Sequence, residues 1–123
     1  MSKETRVGNE FAQDTVDYLS DVLGDKRIER RVLHGKNDRG DIAGVYIKGK
    51  RTVIECKCCK RMELSTWLEE AEIEKANDDA EFAVVVHKRR GCGKKHFGDN
   101  YATMRLETLA AIIAGSHELL EER

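Results

Sequence analysis

The chain has 123 residues, 37% of them charged and 40% hydrophobic, with no proline and a formal net charge of −1. That size holds one core, so a single domain over residues 1–123 is expected, and the balance excludes a disordered or membrane-spanning chain. No run approaches the ~18 apolar residues of a membrane helix, and "MSKETRVGNEF" lacks the basic-then-apolar order of a secretion signal. The expected setting is a reducing cytoplasm in which the four cysteines are free thiols.

Residues 8–23, "GNEFAQDTVDYLSDVL", place Phe11, Val16, Tyr18, Leu19, Val22 and Leu23 toward one side of a helix that Gly24 ends. Residues 27–33, "RIERRVL", read as a first strand, charged enough for a sheet edge. After the turn-rich "HGKNDRG", residues 41–47 and 51–58 read as two strands around "KGK", a hairpin in which Gly49 supplies positive φ. Residues 63–78 form a second helix, with Ser65 or Thr66 as N-cap and Trp67 as a core anchor. "EFAVVVHK" is a continuous apolar run, the pattern of a strand covered on both faces. A Gly-rich basic loop, a brief strand around "YATMR" and an amphipathic helix weakened by Gly115 complete the order α-β-β-β-α-β-β-α. A hairpin followed by a helical crossover and a further strand predicts a mixed α/β sheet flanked by helices.

Charge is unevenly spread. Residues 69–81 carry seven acids and one lysine, whereas "KRRGCGKK" at 88–95 carries five bases and no acid. A short basic segment docks a polyanion through close phosphate contacts even on a near-neutral protein. The plainer alternative is a solvated loop.

The two hairpin strands carry chemistry where apolar residues would be expected. Glu55 and Lys57 project to one face and Cys56 to the other. A three-residue loop centred on residue 48 sets Asp41 opposite Glu55; a slip of one residue would separate them. Two carboxylates that close repel each other unless a proton or a metal intervenes. Together with the Cys56 carbonyl, their oxygens suit Mg²⁺ or Mn²⁺. Lys57 beside such an ion would position or deprotonate water, or stabilise charge developing on phosphorus. A structural salt-bridge patch is the competing reading.

"D-x(13)-E-C-K" on a hairpin, with "GDIAGV", "VIECK", "STWLEEAE" and "AVVVHKRRG" in this order, resembles the PD-(D/E)XK nuclease superfamily. Within it the chain is similar to small archaeal-type and phage-encoded Holliday junction resolvases, over roughly residues 8–106. The resemblance implies a restriction-endonuclease-like fold and a Mg²⁺- or Mn²⁺-dependent endonuclease that cuts four-way DNA junctions by paired nicks. Asp41 and Glu55 would be metal ligands with the Cys56 carbonyl, Lys57 the catalytic lysine, and Glu10 the helix acid that completes the metal site. Glu70 stands where many relatives carry a glutamine, and Arg39-Gly40 replaces the proline of the superfamily's name. DNA-backbone contact is implied for Lys88, Arg89 and Arg90, with Lys94, Lys95, Arg39 and Lys60 as further candidates. A homodimer in the cytoplasm of a bacterial or phage-infected cell is implied as well.

Three rivals stand beside this reading: a restriction-type or nicking enzyme, a non-catalytic DNA-binding module, and a zinc site. The last would draw on Cys56, Cys58, Cys59, Cys92, His87 and His96, although on a strand Cys56 and Cys58 would face one way and Cys59 the other. His87 is either catalytic or structural.

Overall fold

A computed structural model describes residues 3–31 and 38–121. Residues 32–37, which include the end of the predicted first strand and most of the following loop, lie outside the described residues, as do residues 1, 2, 122 and 123. The elements run α1 (Lys3–Leu23), β1 (Glu29–Arg30), β2 (Ile42–Ala43), β3 (Tyr46–Ile47), β4 (Lys50–Lys57), α2 (Leu64–Asn77), β5 (Phe82–His87), β6 (Tyr101–Thr103), α3 (Leu106–Ala114) and α4 (Glu118–Glu121), with a 3-10 turn at Lys94–Asp99. The six strands form a mixed α/β sheet ordered β1-β2-β4-β5-β6, and β3 pairs with β4 beyond the end of β2. Only β4 and β5 run parallel, joined by the α2 crossover, and β1 lies at an edge as its charge predicts. No described helix is long and apolar enough to cross a membrane.

The period-2 alternation of β4 and β5 sorts the core into two layers. Ile54 joins Val16, Ile28 and Ile42 under α1, with Cys56 and Val86 packed at the margin. Ala83 and Val85 meet Trp67 and Ala71 of α2 on the opposite face. β5 is buried along almost its whole length, as a strand covered on both faces must be.

The predicted 41–47 strand is in fact two short ones. Tyr46 pairs with Arg51 and Ile47 with Lys50, leaving Lys48 and Gly49 as a two-residue turn with both φ positive (51° and 78°). Ile42, however, pairs with Ile54, so three residues of one strand lie against two of the other. The extra residue is absorbed around Gly44, whose φ is +86°. A Cβ there would stand 2.1 Å from the Arg27 carbonyl oxygen. The expected three-residue loop is thus replaced by a tighter turn plus a bulge, and the two changes cancel in register. Continuing the Ile42–Ile54 pairing by one residue still sets Asp41 opposite Glu55.

Two other boundaries differ from expectation. Glu63, without a side-chain cap, occupies the N-cap of α2, so Ser65 and Thr66 belong to its first turn. The C-terminal helix breaks at Gly115 (φ +98°), whose N–H closes on the Ala111 carbonyl at 2.8 Å. Glycine at that left-handed position ends a helix at low steric cost.

Candidate active site

The site begins with the run "DRGD". Gly40 holds φ +93°, and a Cβ on it would stand 2.8 Å from Val53 Cγ1 and 3.2 Å from the Ile54 carbonyl oxygen. The backbone therefore turns flush against β4 in a way that only glycine allows. Asp38 Oδ1 accepts the Gly40 N–H at 2.9 Å, and the Asp38 carbonyl accepts the Asn77 amide at 2.8 Å. Asp41 follows immediately. Its N–H donates to the Ile54 carbonyl (3.0 Å), and its Oδ2 accepts the Cys56 N–H at 2.8 Å. The carboxylate thus extends the β2–β4 ladder beyond the N-terminal end of β2. N–H and C=O of one strand residue point to the same edge, so the Cys56 carbonyl faces the Asp41 side.

Helix α2 supplies the other wall. It returns antiparallel to β4, and four helical residues rise about 6 Å, close to the roughly 6.6 Å spanned by two strand residues. The step from Lys57 back to Glu55 therefore matches the step from Glu70 forward to Glu74. Lys57 Nζ lies 2.7 Å from Glu70 Oε2 and 3.7 Å from Glu55 Oε2. One turn on, Glu74 is only 2% exposed, on the same core-facing stripe as Trp67 and Ala71. Carboxylate oxygens of Asp38, Glu55 and Glu74 lie within 4.8 Å of one another. Glu55 Oε1 and both Glu74 oxygens are buried and accept no hydrogen bond among the described residues.

That crowding sets the electrostatics. Burial first, then the Asp41 charge and Glu74, push the Glu55 carboxyl up to about 10. Burial first, then the Asp38 charge, push Glu74 up to about 8. Both directions say that the pair holds a proton at neutral pH when no cation is bound. For Lys57, burial works to lower the pKa, but the hydrogen bond to Glu70 and the charge of Glu55 outweigh it and the net direction is up. Lys57 is accordingly an ammonium, suited to stabilising negative charge and poorly suited to removing a proton from water. Cys56, buried mainly under α1, has its thiol pushed up to about 12 by burial and is an inert core group.

The predicted residues divide in two. Asp41, Glu55, the Cys56 backbone, Lys57 and Glu70 come together. Glu10 is exposed on α1 and is not one of the three carboxylates that cluster. Asp38 and Glu74 are the members that the sequence reading missed. Glu74 had a visible signal: an acid at the spacing of Trp67 and Ala71 on the buried stripe of α2.

Lys57 and His87 are register partners, so the basic loop leaves β5 at the same sheet end. Arg39, Lys60, Arg89, Arg90, Lys94 and Lys95 are exposed. Lys88 is turned inward and donates to the Cys92 carbonyl, and Lys94 lies 3.7 Å from Asp14. His87 is structural: buried, bonded through Nε2 to Thr103 Oγ1 at 2.7 Å, and set between Trp67 and Tyr101 with ring centroids 5.6 and 5.3 Å away. Among the described residues, no group of cysteines and histidines assembles a zinc site. A cleft lined by Lys75, Glu81, Glu107 and His117 lies by the N-terminal end of β5 and contains none of the clustered carboxylates. It surrounds the contact of His117 Nδ1 with Glu81 Oε2 (2.5 Å). Comparison of the chain with protein-family models, with curated proteins and with solved structures returns no significant match.

Proposed function

We propose that the protein is a metal-dependent DNA endonuclease of the PD-(D/E)XK type, with the restriction-endonuclease-like version of the mixed α/β sheet, acting on four-way junctions. One observation carries the reading. Asp41, Glu55 and Lys57 converge on the α2-facing side of β4, and the loop of exposed bases leaves β5 at that same end. Asp41, Glu55 and the Cys56 carbonyl would hold Mg²⁺ or Mn²⁺. The all-oxygen donor set suits a hard cation, and the unpartnered Glu55 Oε1 has the buried lone pairs that such an ion satisfies. When bound, the ion supplies Lewis-acid polarisation of a phosphoryl oxygen and acidifies water.

The protein's own part is positional and electrostatic. Lys57, held cationic by its two acids, faces the charge that develops on a pentavalent phosphate. Arg89, Arg90, Lys95 and Lys60 grip backbone phosphates, contacts that set register without reading sequence. A symmetric homodimer would present two such sites to a branched substrate.

The test gives purified protein and Mg²⁺ a four-way junction and, separately, a linear duplex of the same sequences. Paired nicks confined to the junction, lost in Asp41→Asn and Lys57→Ala, are expected. Undiminished cutting by Asp41→Asn, or no cutting with either Mg²⁺ or Mn²⁺, overturns the reading. Equal cutting of duplex replaces the junction substrate with duplex DNA.

A further inference from the structure

We infer that Asp38, Glu55 and Glu74 form a second divalent-cation site, sharing only the Glu55 carboxylate with the one at Asp41 and the Cys56 carbonyl, in which helix α2 contributes a ligand. Three observations lead there. The three carboxylates come from a turn, a strand and a helix distant in sequence, yet offer oxygens within 4.8 Å of one another. Oxygens on opposite sides of a Mg²⁺ are about 4.2 Å apart, and those across a larger cation somewhat farther, so only small side-chain adjustments close the shell. Glu74 is the decisive member: 2% exposed, aimed into the cluster, with neither oxygen meeting an N–H or hydroxyl donor among the described residues. Native proteins seldom leave buried acceptors unpartnered, and an unfilled cation position is one of the few accounts of such a group.

Charge argues the same way. Asp38, Asp41, Glu55 and Glu74 influence one another, while Lys57, already engaged by Glu70, is the one described base paired with any of them. Arg31 and Arg51 are committed to Asp78. A divalent ion offsets what no other described side chain does. Asp38 is exposed and gives the ion a way in from solvent. Fixed geometry supports it too, since Asp38 is pinned by the Gly40 N–H and by Asn77.

The site needs no DNA, and it stands apart from the nuclease reading. The experiment titrates Mn²⁺ into the full chain at mildly alkaline pH, without nucleic acid, following free Mn²⁺ by electron paramagnetic resonance. Wild type is expected to bind an ion that Asp41→Asn retains within a few-fold. Loss of a mere outer-shell partner costs about 10–100-fold in metal affinity, so Glu74→Gln should weaken binding by at least about tenfold. Asp38→Asn, an exposed change that leaves the core intact, should do likewise and guards against misfolding of the Glu74 variant. Wild-type binding in both Glu74→Gln and Asp38→Asn, or no Mn²⁺ bound by wild type up to millimolar concentration, overturns the proposal. Mn²⁺ bound as expected by a protein that cuts no DNA would reject the nuclease function and leave this site standing.

Discussion

Replacing Glu74 with methionine should make the cation-free protein more stable, the reverse of what loss of a charged side chain usually does. Glu74 is buried on the stripe of α2 that also carries Trp67 and Ala71, beside Asp38 and Glu55, and neither of its oxygens meets an N–H or hydroxyl donor among the described residues. Leaving one buried polar group unsatisfied costs about 1–3 kcal/mol. The displaced titration gives a similar figure: a carboxyl raised from 4.5 to about 8 loses roughly 3 kcal/mol at neutral pH, at about 1.4 kcal/mol per unit. Methionine keeps the unbranched length of glutamate and nearly the same helix propensity, so neither packing nor backbone preference opposes the gain. Removing Glu74's charge also relieves Glu55, which Glu74 pushes up. For a domain of this size each kcal/mol moves Tm by about 4 °C, so Glu74→Met should melt roughly 4–12 °C higher than wild type in EDTA. Thermal unfolding followed by Trp67 fluorescence, with urea midpoints at constant m, measures it. Adding Mn²⁺ should narrow the gap, because an ion present at a hundredfold over its Kd stabilises wild type by about 2.7 kcal/mol and the variant hardly at all. A Glu74→Met protein no more stable than wild type in EDTA would show that the carboxylate is satisfied in solution, and the reasoning about the cluster would fail.

Other outcomes follow from the same coordinates. Gly40→Ala should lower stability by about 1–3 kcal/mol, since it strains a positive-φ position and presses a methyl against Val53 and the Ile54 carbonyl; an unchanged melting temperature would refute the flush turn. Asp78→Asn should cost about 2–3 kcal/mol, because Asp78, 5% exposed, takes two bonds from Arg31 at 2.9 and 3.2 Å; urea denaturation reads it. In EDTA, stability should fall as pH rises from about 5 to 8. Glu55 and Glu74 have folded pKa values above the ordinary 4.5, so the unfolded chain ionises first and their contribution, complete below 4.5, is lost as pH climbs through about 8 and about 10; a flat or rising profile contradicts the shared proton. Arg89→Ala with Arg90→Ala should lower the salt slope of junction binding by about two units, at roughly 0.9 per phosphate contact, as fluorescence anisotropy across a salt series would show.

Much of this architecture can be read from the residue order, and the gaps have physical causes. The alternation in "TVIECK" and the unbroken "FAVVVH" run announce a strand pair covered on both faces, and the helix between them announces a parallel crossover. The hairpin register was legible only through two compensating irregularities. A two-residue turn at Lys48–Gly49 and a bulge at Gly44 cancel, and neither is visible in the count of residues between Asp41 and Glu55. Asp38 was illegible because its place depends on the positive φ of Gly40. Glu74 was legible in principle: a helix that returns alongside β4 must repeat its partners every four residues, and Glu70 against Lys57 implies Glu74 against Glu55. Glu10 lies outside the buried cluster for the opposite reason. Its position in the first helix is compatible with the site, but the packing of α1 through Phe11, Ala12, Thr15 and Val16 leaves it in solvent.

The two acids that flank Lys57 do different work because their solvent exposure differs. Glu70 is 44% exposed on its side chain, and its 2.7 Å contact with Lys57 is screened by water. Such pairs contribute about 0–1 kcal/mol, so Lys57 leaves Glu70 for a competing anion at little cost. Glu55 is buried at 8%, and its 3.7 Å attraction to Lys57 runs through a less polarisable medium. A cation on Glu55 would withdraw that attraction and repel the ammonium toward solvent, where Glu70 or a phosphate can receive it. Under the proposed function, cation binding and presentation of the lysine are therefore coupled through one carboxylate. On that proposal Glu70 is a holding partner outside the metal shell.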